Sequence, residues 1–199
     1  MPDLSRDLEM NIILIGFKAS GKSTVGAVLA QLLKRPFIDT DRRIEDLYHV
    51  YAEQNLDKRA IYNSLDADAF RSLEKAAIAS LLWEKKSVIA TGGGVVLTSE
   101  NVRVLKKIGV CIFLDAPLEV LQKRVKDDPS PIFQDTDLAT LYETRVPLYR
   151  KMADISYTFL EEETPMVMAK NIKTLIYPSD FKKPGRQASG EGDERILNT

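Results

Sequence analysis

A glycine-rich segment near the amino terminus has the residue types needed to hold a chain of phosphates. Residues 16–24 read GFKASGKST and match the Walker A pattern G-x-x-x-x-G-K-[ST]. In such a loop, backbone N–H groups turn inward around the phosphates, and the following helix adds its positive dipole end. Lys22 would place its charge on the outer phosphates, and the Ser23 hydroxyl would bind Mg2+. The residues predicted to contact a nucleotide here are Gly16, Ala19, Ser20, Gly21, Lys22, Ser23 and Thr24.

A pair of carboxylates ends the second predicted strand. Residues 37–41 read FIDTD, so one residue separates Asp39 from Asp41. Side chains at i and i+2 of an extended segment point the same way, and both acids could therefore face a pocket at the carboxyl edge of a sheet. One acid would hold Mg2+ through water while the other meets an acceptor hydroxyl. The alternative is that Asp41 only caps the following helix.

Three further features each have a functional and a plain structural interpretation. Arg71 and Glu74 are three apart on a predicted helix and adjacent in space, as a working pair or as an ordinary surface ion pair. Three successive glycines, residues 92–94, follow a predicted strand and indicate a close backbone approach, with a loose turn as the alternative. Arg145 lies in a helical segment that contains Pro147, which is expected to kink the helix and could aim Arg145 inward. The alternative for Arg145 is a solvated basic residue.

The hydrophobic pattern predicts alternating strands and helices. Strands are predicted at residues 11–15, 37–38, 87–91, 109–114 and 155–159. Helices are predicted from residue 24 to about 33 and at 42–54, 66–84, 99–107, from 117, at 138–152 and at 165–176. This alternation is typical of an α/β fold with a parallel sheet covered on both faces.

The composition excludes several classes of protein. The 199 residues carry 28 basic and 29 acidic side chains, a balance that gives no electrostatic reason to expect nucleic acid or an anionic membrane as partner. No apolar run approaches the roughly 18 residues that span a bilayer. Cys111 is the single cysteine, which excludes an internal disulfide and favours a reducing, cytoplasmic location. Residues 1–10 are predicted to be a polar lead-in, and residues 178–199 a disordered tail.

Taken together, five motifs resemble the shikimate kinase family, in family order and over residues 11–176. The motifs are residues 16–24, 37–41, FRSLE at 70–74, TGGG at 91–94 and RVPLY at 145–149. The resemblance implies a P-loop NTPase with an NMP-kinase-like three-layer fold, a parallel sheet of about five strands and a helical lid. The kinase domain would span residues 11–177.

The resemblance also implies the reaction and the roles of the site residues. The reaction would be ATP-dependent phosphorylation of the 3-hydroxyl of shikimate, by a monomer, with Lys22 and Asp41 as the catalytic residues. Asp41 would bind the acceptor hydroxyl, Arg71 and Arg145 would clamp the carboxylate, and Glu74 would orient Arg71. The residues that would bind the substrate are Asp41, Arg71, Gly92, Gly93, Gly94 and Arg145. Ser23 and Asp39 would hold Mg2+ beside the ATP.

The sequence departs from the family in the lid. Ser130 stands where the family carries an arginine that contacts ATP, and we expect Arg124, at the start of the lid, to replace it. Two other functions therefore remain open. One is a related small-molecule kinase, such as a gluconate kinase; the other is a relative that binds nucleotide or shikimate as a regulator without turnover.

Overall fold

The core of the molecule is a five-stranded parallel sheet with the strand order β2-β3-β1-β4-β5. The computed structural model describes residues 10–126 and 137–178. The strands are β1 (Asn11–Ile15), β2 (Phe37–Asp39), β3 (Val88–Ala90), β4 (Gly109–Asp115) and β5 (Ile155–Thr158). In the centre of the sheet, Ile13 of β1 pairs with Ile89 on one side and with Cys111 on the other. The predicted parallel sheet is confirmed.

Eight α-helices connect and flank the strands in the described part of the chain. They are α1 (Lys22–Leu33), α2 (Thr40–Ala52), α3 (Lys58–Ser64), α4 (Ala67–Ser80), α5 (Ser99–Ile108), α6 (Leu118–Val125), α7 (Leu138–Met152) and α8 (Pro165–Ile176). The helix predicted at 66–84 is α4 followed by a 3-10 turn, Leu81–Trp83, and α3 was not predicted. Within the described ranges, no helix is both long and apolar enough to cross a membrane.

The buried side chains form two separate clusters. The larger cluster fills the space between the sheet and its covering helices, and all of β1 is buried in it or beside it. Cys111 is fully buried in this cluster, and burial raises the pKa of its thiol to about 12. The smaller cluster joins α2, α3 and α4. Its buried members are Ile44, Tyr48, Ile61, Phe70 and Ala77.

The strand order brings the predicted motifs to one edge of the sheet. Because all five strands are parallel, the segments that follow β1, β2 and β3 leave at the same edge. These segments carry residues 16–24, Asp41 and the three glycines at 92–94. The edge where ligands of open α/β sheets bind thus holds three of the five motifs.

One local prediction was wrong. Asp41 is not in an extended segment with Asp39, because it lies in the first turn of α2. Asp39 is the cap of that helix, and its Oδ1 accepts the Asp41 N–H at 2.9 Å. The helix predicted at 138–152 is confirmed as α7, which contains Pro147 and therefore lacks one backbone N–H donor. The carbonyl that loses its partner belongs to Glu143, which is exposed, so water can satisfy it.

Some predictions concern residues that the structure does not describe. The predicted lead-in, residues 1–10, lies outside the described ranges except for Met10, and the predicted tail, 178–199, lies outside except for Pro178. Ser130, and with it the centre of the predicted lid, also lies outside the described residues. The predicted domain boundaries therefore stay predictions.

Candidate active site

The phosphate loop connects β1 to α1 and is shaped by its backbone angles. Gly21 precedes α1 with a φ of 95°, a left-handed conformation that favours glycine, and Ala19 also has a positive φ, of 64°. The Lys22 side chain folds back over the loop, and its ammonium group donates to the Phe17 carbonyl at 2.6 Å. The loop thus surrounds a space at the amino terminus of α1 with a cation at its side.

Lys22 is 7% exposed, and its burial has an electrostatic consequence. Burial lowers the pKa of the ammonium group from 10.5 to about 8, against the charges of Asp41 and Asp39, which raise it. The nearby cations Lys58 and Lys18 lower it further. Because the positive charge is poorly compensated in the free protein, an incoming phosphate would stabilise it.

A hydroxyl and a carboxylate meet beside this loop. The Ser23 Oγ donates to Asp39 Oδ2 at 2.6 Å, while Asp39 Oδ1 caps α2. Mg2+ prefers oxygen ligands and in kinases is held by one or two protein oxygens together with the substrate phosphates. The described residues contain no group of three or more His, Cys, Asp or Glu side chains that could hold a metal without a substrate. The donor set at Ser23 and Asp39 therefore fits magnesium that arrives with a nucleotide.

Two ion pairs lie beside the phosphate loop, on helices α2, α3 and α4. Lys58, the first residue of α3, lies with its Nζ 2.7 Å from Asp41 Oδ1. Arg71 donates to Glu74 Oε2 at 2.8 Å, and the Glu74 side chain is only 6% exposed. A Cβ at Gly94 would lie 3.1 Å from the Arg71 Nη1, so the glycine turn passes directly beside this guanidinium group. The burial of Glu74 separates this pair from an ordinary surface ion pair.

The glycine turn is held by two hydroxyl groups from other elements. Gly92 N–H donates to Thr40 Oγ1 at 2.9 Å, and the Tyr149 hydroxyl donates to the Gly93 carbonyl. Burial raises the pKa of Tyr149 to about 12, and the Arg145 guanidinium opposes that shift through its charge and a side-chain hydrogen bond. Tyr149 also stacks on Phe113, with ring centroids 5.2 Å apart.

A single cavity of about 550 Å³ joins these features. Its lining includes the predicted residues Ala19, Gly21, Lys22, Ser23, Thr24, Asp41, Arg71, Gly92, Gly93, Gly94 and Arg145. The other lining residues are Lys18, Lys58, Arg59, Tyr62, Phe70, Glu74 and Thr91. Cationic side chains outnumber the carboxylates of Asp41 and Glu74, so the cavity suits anionic ligands.

The comparison with known proteins decides the family. A family model for shikimate kinase matches residues 18–176 of the chain. The chain belongs to the shikimate kinase family. The ATP-dependent phosphorylation predicted from the motifs is the activity of this family, and the prediction of an enzyme of the kinase class is confirmed.

Curated relatives and solved structures agree with this assignment. The shikimate kinase of Clostridium botulinum (strain Loch Maree) is 37% identical over 169 residues, which cover 82% of this chain and 96% of the relative. The shikimate kinase of Microcystis aeruginosa is 39% identical over 172 residues, covering 84% and 86%.

Among solved structures, the Acinetobacter baumannii shikimate kinase in complex with shikimate has a TM-score of 0.74 and 29% identity, covering 87% of this chain and 96% of that one. The Aquifex aeolicus shikimate kinase has a TM-score of 0.71 and 32% identity, covering 86% and 98%. The predicted P-loop fold of the NMP-kinase type is confirmed.

Four predicted site residues of this shikimate kinase family member are not part of the cavity lining formed by the described residues. They are Gly16, Ser20, Asp39 and Arg124. Arg124 is nevertheless close to the phosphate loop, since its Nη1 donates to the Ala19 carbonyl at 3.1 Å. The same guanidinium lies over the Phe159 ring, 5.5 Å from its centroid. This position agrees with a contact to a nucleotide, which stays a prediction.

Lys58, Thr40 and Tyr149 were missed as site residues by sequence reasoning. Lys58 escaped because α3 was not predicted, although Asp57, which caps α3 by accepting the Ala60 N–H at 2.8 Å, was a usable signal for a helix start. Thr40 and Tyr149 form hydrogen bonds to Gly92 and Gly93, which are separated from them by 52 and 56 positions in the sequence. Local patterns do not encode such distant contacts.

Proposed function

We propose that the cavity carries out transfer of the γ-phosphate of ATP to the 3-hydroxyl of shikimate. One observation carries the assignment of residues: the phosphate loop, Asp41 and the guanidinium groups of Arg71 and Arg145 line the same cavity. In phosphoryl transfer the donor and the acceptor must be held in line, and charge must be neutralised while they react. A cavity with a phosphate site at one end and an acid beside cations at the other supports that task.

The donor side holds ATP. The inward-facing amides of the phosphate loop and the start of α1 would bind the β- and γ-phosphates, with Lys22 paired to their oxygens. Ser23 and Asp39 would hold Mg2+, which neutralises charge on the phosphate oxygens when bound. Arg124, beside the loop carbonyl of Ala19, would contact the nucleotide from the start of the lid.

The acceptor side holds shikimate. Arg71 and Arg145 would bind its carboxylate, since a planar guanidinium group can donate two parallel hydrogen bonds to a carboxylate. Glu74 fixes Arg71 at 2.8 Å, and the backbone of Gly92–Gly94 would approach the ring of the substrate. Asp41 has one oxygen paired with Lys58, which leaves the second to accept the proton of the reacting hydroxyl.

The chemistry of the chain also supports a setting for this enzyme. We propose that the protein has no nucleic acid or membrane partner, because its net charge is −1. We also propose that it is cytoplasmic, because its single cysteine, Cys111, is buried and free. Its oligomeric state is proposed to be a monomer. Size-exclusion chromatography with light scattering would test the monomer, since a mass of twice the 22.4 kDa chain would contradict it.

A coupled ADP assay tests the proposed function and its alternatives together. Purified protein is supplied with magnesium and ATP, and with shikimate, gluconate or no acceptor. We expect ADP release that depends on shikimate. Dependence on gluconate would instead identify a gluconate kinase, and binding of ATP and shikimate in a calorimeter without ADP release would identify a regulator.

A further inference from the structure

Lys58 lines the cavity and has no role of its own in the proposed function so far. Lys58 forms an ion pair with Asp41, and the two side chains are 29% and 42% exposed. Ion pairs this open to water add little to stability, typically about 0–1 kcal/mol. A contribution to the stability of the fold is therefore a weak reason for a lysine at this position. The carboxylate that it contacts is the one proposed to receive the acceptor proton.

The backbone of the glycine turn leaves room for the pair. A Cβ at Gly92 would lie 2.9 Å from Asp41 Oδ1 and 3.1 Å from Lys58 Nζ, so any side chain there would displace the pair. The hydrogen bond from Gly92 N–H to Thr40 fixes the turn at this distance. The Asp41 and Lys58 groups thus lie against the glycine turn in the cavity lining, on the side where the acceptor is proposed to bind.

Lys58 and Lys22 face one common space. Both line the cavity, and the charge of Lys58 is one of the causes that lower the pKa of Lys22. Lys22 lies on the donor side, at the phosphate loop, whereas Lys58 lies on the acceptor side. A phosphoryl group that moves from ATP to the acceptor would leave the first ammonium group and approach the second.

We infer that Lys58 is a catalytic residue that changes partner during the reaction, from the Asp41 carboxylate to the transferred phosphoryl group. The inference rests on the proposed function. In the step, the acceptor oxygen forms a bond to the γ-phosphorus, and the bond from that phosphorus to the β–γ bridging oxygen breaks, with its electron pair leaving on ADP. The hydroxyl proton moves to Asp41.

This proton transfer explains why the partner changes. Once protonated, Asp41 no longer holds the Lys58 ammonium by charge, while a phosphate ester with about two negative charges has formed beside it. The ammonium group has three donors and a flexible stem, so it can reach the new anion with little rearrangement. Without Lys58, the new phosphate ester would have no ammonium group beside it at the Asp41 side of the cavity.

The first test is steady-state kinetics of Lys58→Met, with Lys58→Arg and Lys75→Met as comparisons. We expect kcat to fall about 100-fold in Lys58→Met while the KM for shikimate stays within about threefold, because the lost interaction forms with the transferred phosphoryl group and not with bound shikimate. Lys58→Arg should recover kcat to within about tenfold, since it keeps the charge. Lys75→Met, which breaks a surface pair with Glu100 at 3.5 Å, should match the wild type.

The second test measures binding of substrate and product without ATP, by calorimetry. We expect Lys58→Met to lose about tenfold in affinity for shikimate 3-phosphate and to keep its affinity for shikimate, because only the phosphate meets the ammonium group. A Lys58→Met variant with wild-type kcat, or with equal losses of affinity for both compounds, would overturn the role of Lys58 and leave the proposed function standing. A wild-type protein without shikimate-dependent ADP release would overturn the proposed function and this inference with it.

Discussion

The two ends of the cavity are supported by different hydrophobic clusters. The phosphate loop leaves β1, a central strand whose residues are buried in the large core under the sheet. The acceptor side is formed by α2, α3 and α4, which pack around the small second cluster. The donor end is thus anchored in the larger hydrophobic cluster, while the acceptor end depends on a cluster with far fewer buried side chains.

The polar contacts that shape the two ends of the cavity also differ in kind. At the donor end, loop shape comes from backbone angles and from the contact of Lys22 with the Phe17 carbonyl. At the acceptor end, shape comes from ion pairs between side chains, Asp41 with Lys58 and Arg71 with Glu74. Side-chain pairs can exchange partners when a ligand arrives, whereas a fixed backbone cannot. The backbone of the donor end is therefore preformed, whereas the ion pairs of the acceptor end can respond to the substrate.

The largest expected effect separates the two ends chemically. Asp41→Asn should lower kcat about 1,000-fold, because the amide cannot accept the hydroxyl proton, and should leave ATP affinity unchanged because the phosphate loop is intact. Coupled ADP release and calorimetry with ATP measure the two quantities. Asp46→Asn, an exposed carboxylate on the same helix, is the matched control and should behave as wild type. Equal losses in kcat and ATP affinity would show that the ends are not separable.

Truncations in the two clusters should differ in kind. Ile13 and Ile61 are both fully buried, the first in the large core and the second in the small cluster. We expect Ile13→Ala to lower the free energy of unfolding by about 4 kcal/mol with little change in the KM for shikimate. Ile61→Ala should cost about 2 kcal/mol but raise that KM several-fold, since α3 and α4 would shift.

Urea unfolding and steady-state kinetics of both variants provide the measurements. Ile61→Val, which removes one methyl group, should fall between Ile61→Ala and the wild type in both quantities. If Ile13→Ala raised the KM for shikimate as much as Ile61→Ala does, the two clusters would act as one unit.

A smaller effect concerns the buried charge at the donor end. The pKa of Lys22 is about 8 in the folded protein and 10.5 as its ordinary value, so the unfolded chain binds more protons between these pH values. The contribution of Lys22 to the free energy of unfolding therefore rises with pH between about 8 and 10.5. Without ATP, Lys22→Met should be more stable than the wild type by about 2 kcal/mol at pH 7, because a poorly compensated buried charge is removed.

Thermal or urea unfolding from pH 7 to pH 10 checks this expectation. The advantage of Lys22→Met should shrink as the pH rises above about 8, and the stabilisation of the wild type by ATP should be lost in the variant. An advantage that stays constant up to pH 10 would contradict the low pKa of Lys22.

The smallest expected effect tests recognition at the acceptor end. Arg71→Lys keeps the charge beside Glu74 but loses the planar fork, so the KM for shikimate should rise about tenfold with kcat nearly unchanged. Arg42→Lys is a matched control, since Arg42 forms a pair of the same spacing with Glu45 on the surface. Equal KM values for wild type and Arg71→Lys would exclude bidentate binding by Arg71.

The donor end could be predicted from sequence to a large extent. The apolar run of β1, the glycines of residues 16–24 and the helical pattern after Thr24 are adjacent in the chain, and each constrains the next. The alternation of the remaining elements then predicted a parallel sheet, whose carboxyl edge is a known location for ligands. Local patterns were sufficient because this end is built from one continuous segment.

The acceptor end could be predicted only in part. Arg71 was found through its motif, but the partner of Asp41 is Lys58, 17 positions away on a short helix without a strong pattern. The prediction for Asp41 relied on an extended backbone, whereas the cap formed by Asp39 starts α2 at Thr40, two residues earlier than predicted. Contacts of this kind depend on how helices pack, which spacing along one chain does not reveal.

The Tyr149 hydroxyl has a consequence for what the glycine turn shows to a ligand. It donates to the Gly93 carbonyl, and in a planar trans peptide the following N–H points the opposite way. Because the phenol stays protonated up to a pH of about 12, this orientation does not reverse under physiological conditions. The peptide that joins Gly93 to Gly94 therefore has a fixed polarity, with its oxygen directed at Tyr149 of α7 and its N–H directed away from α7.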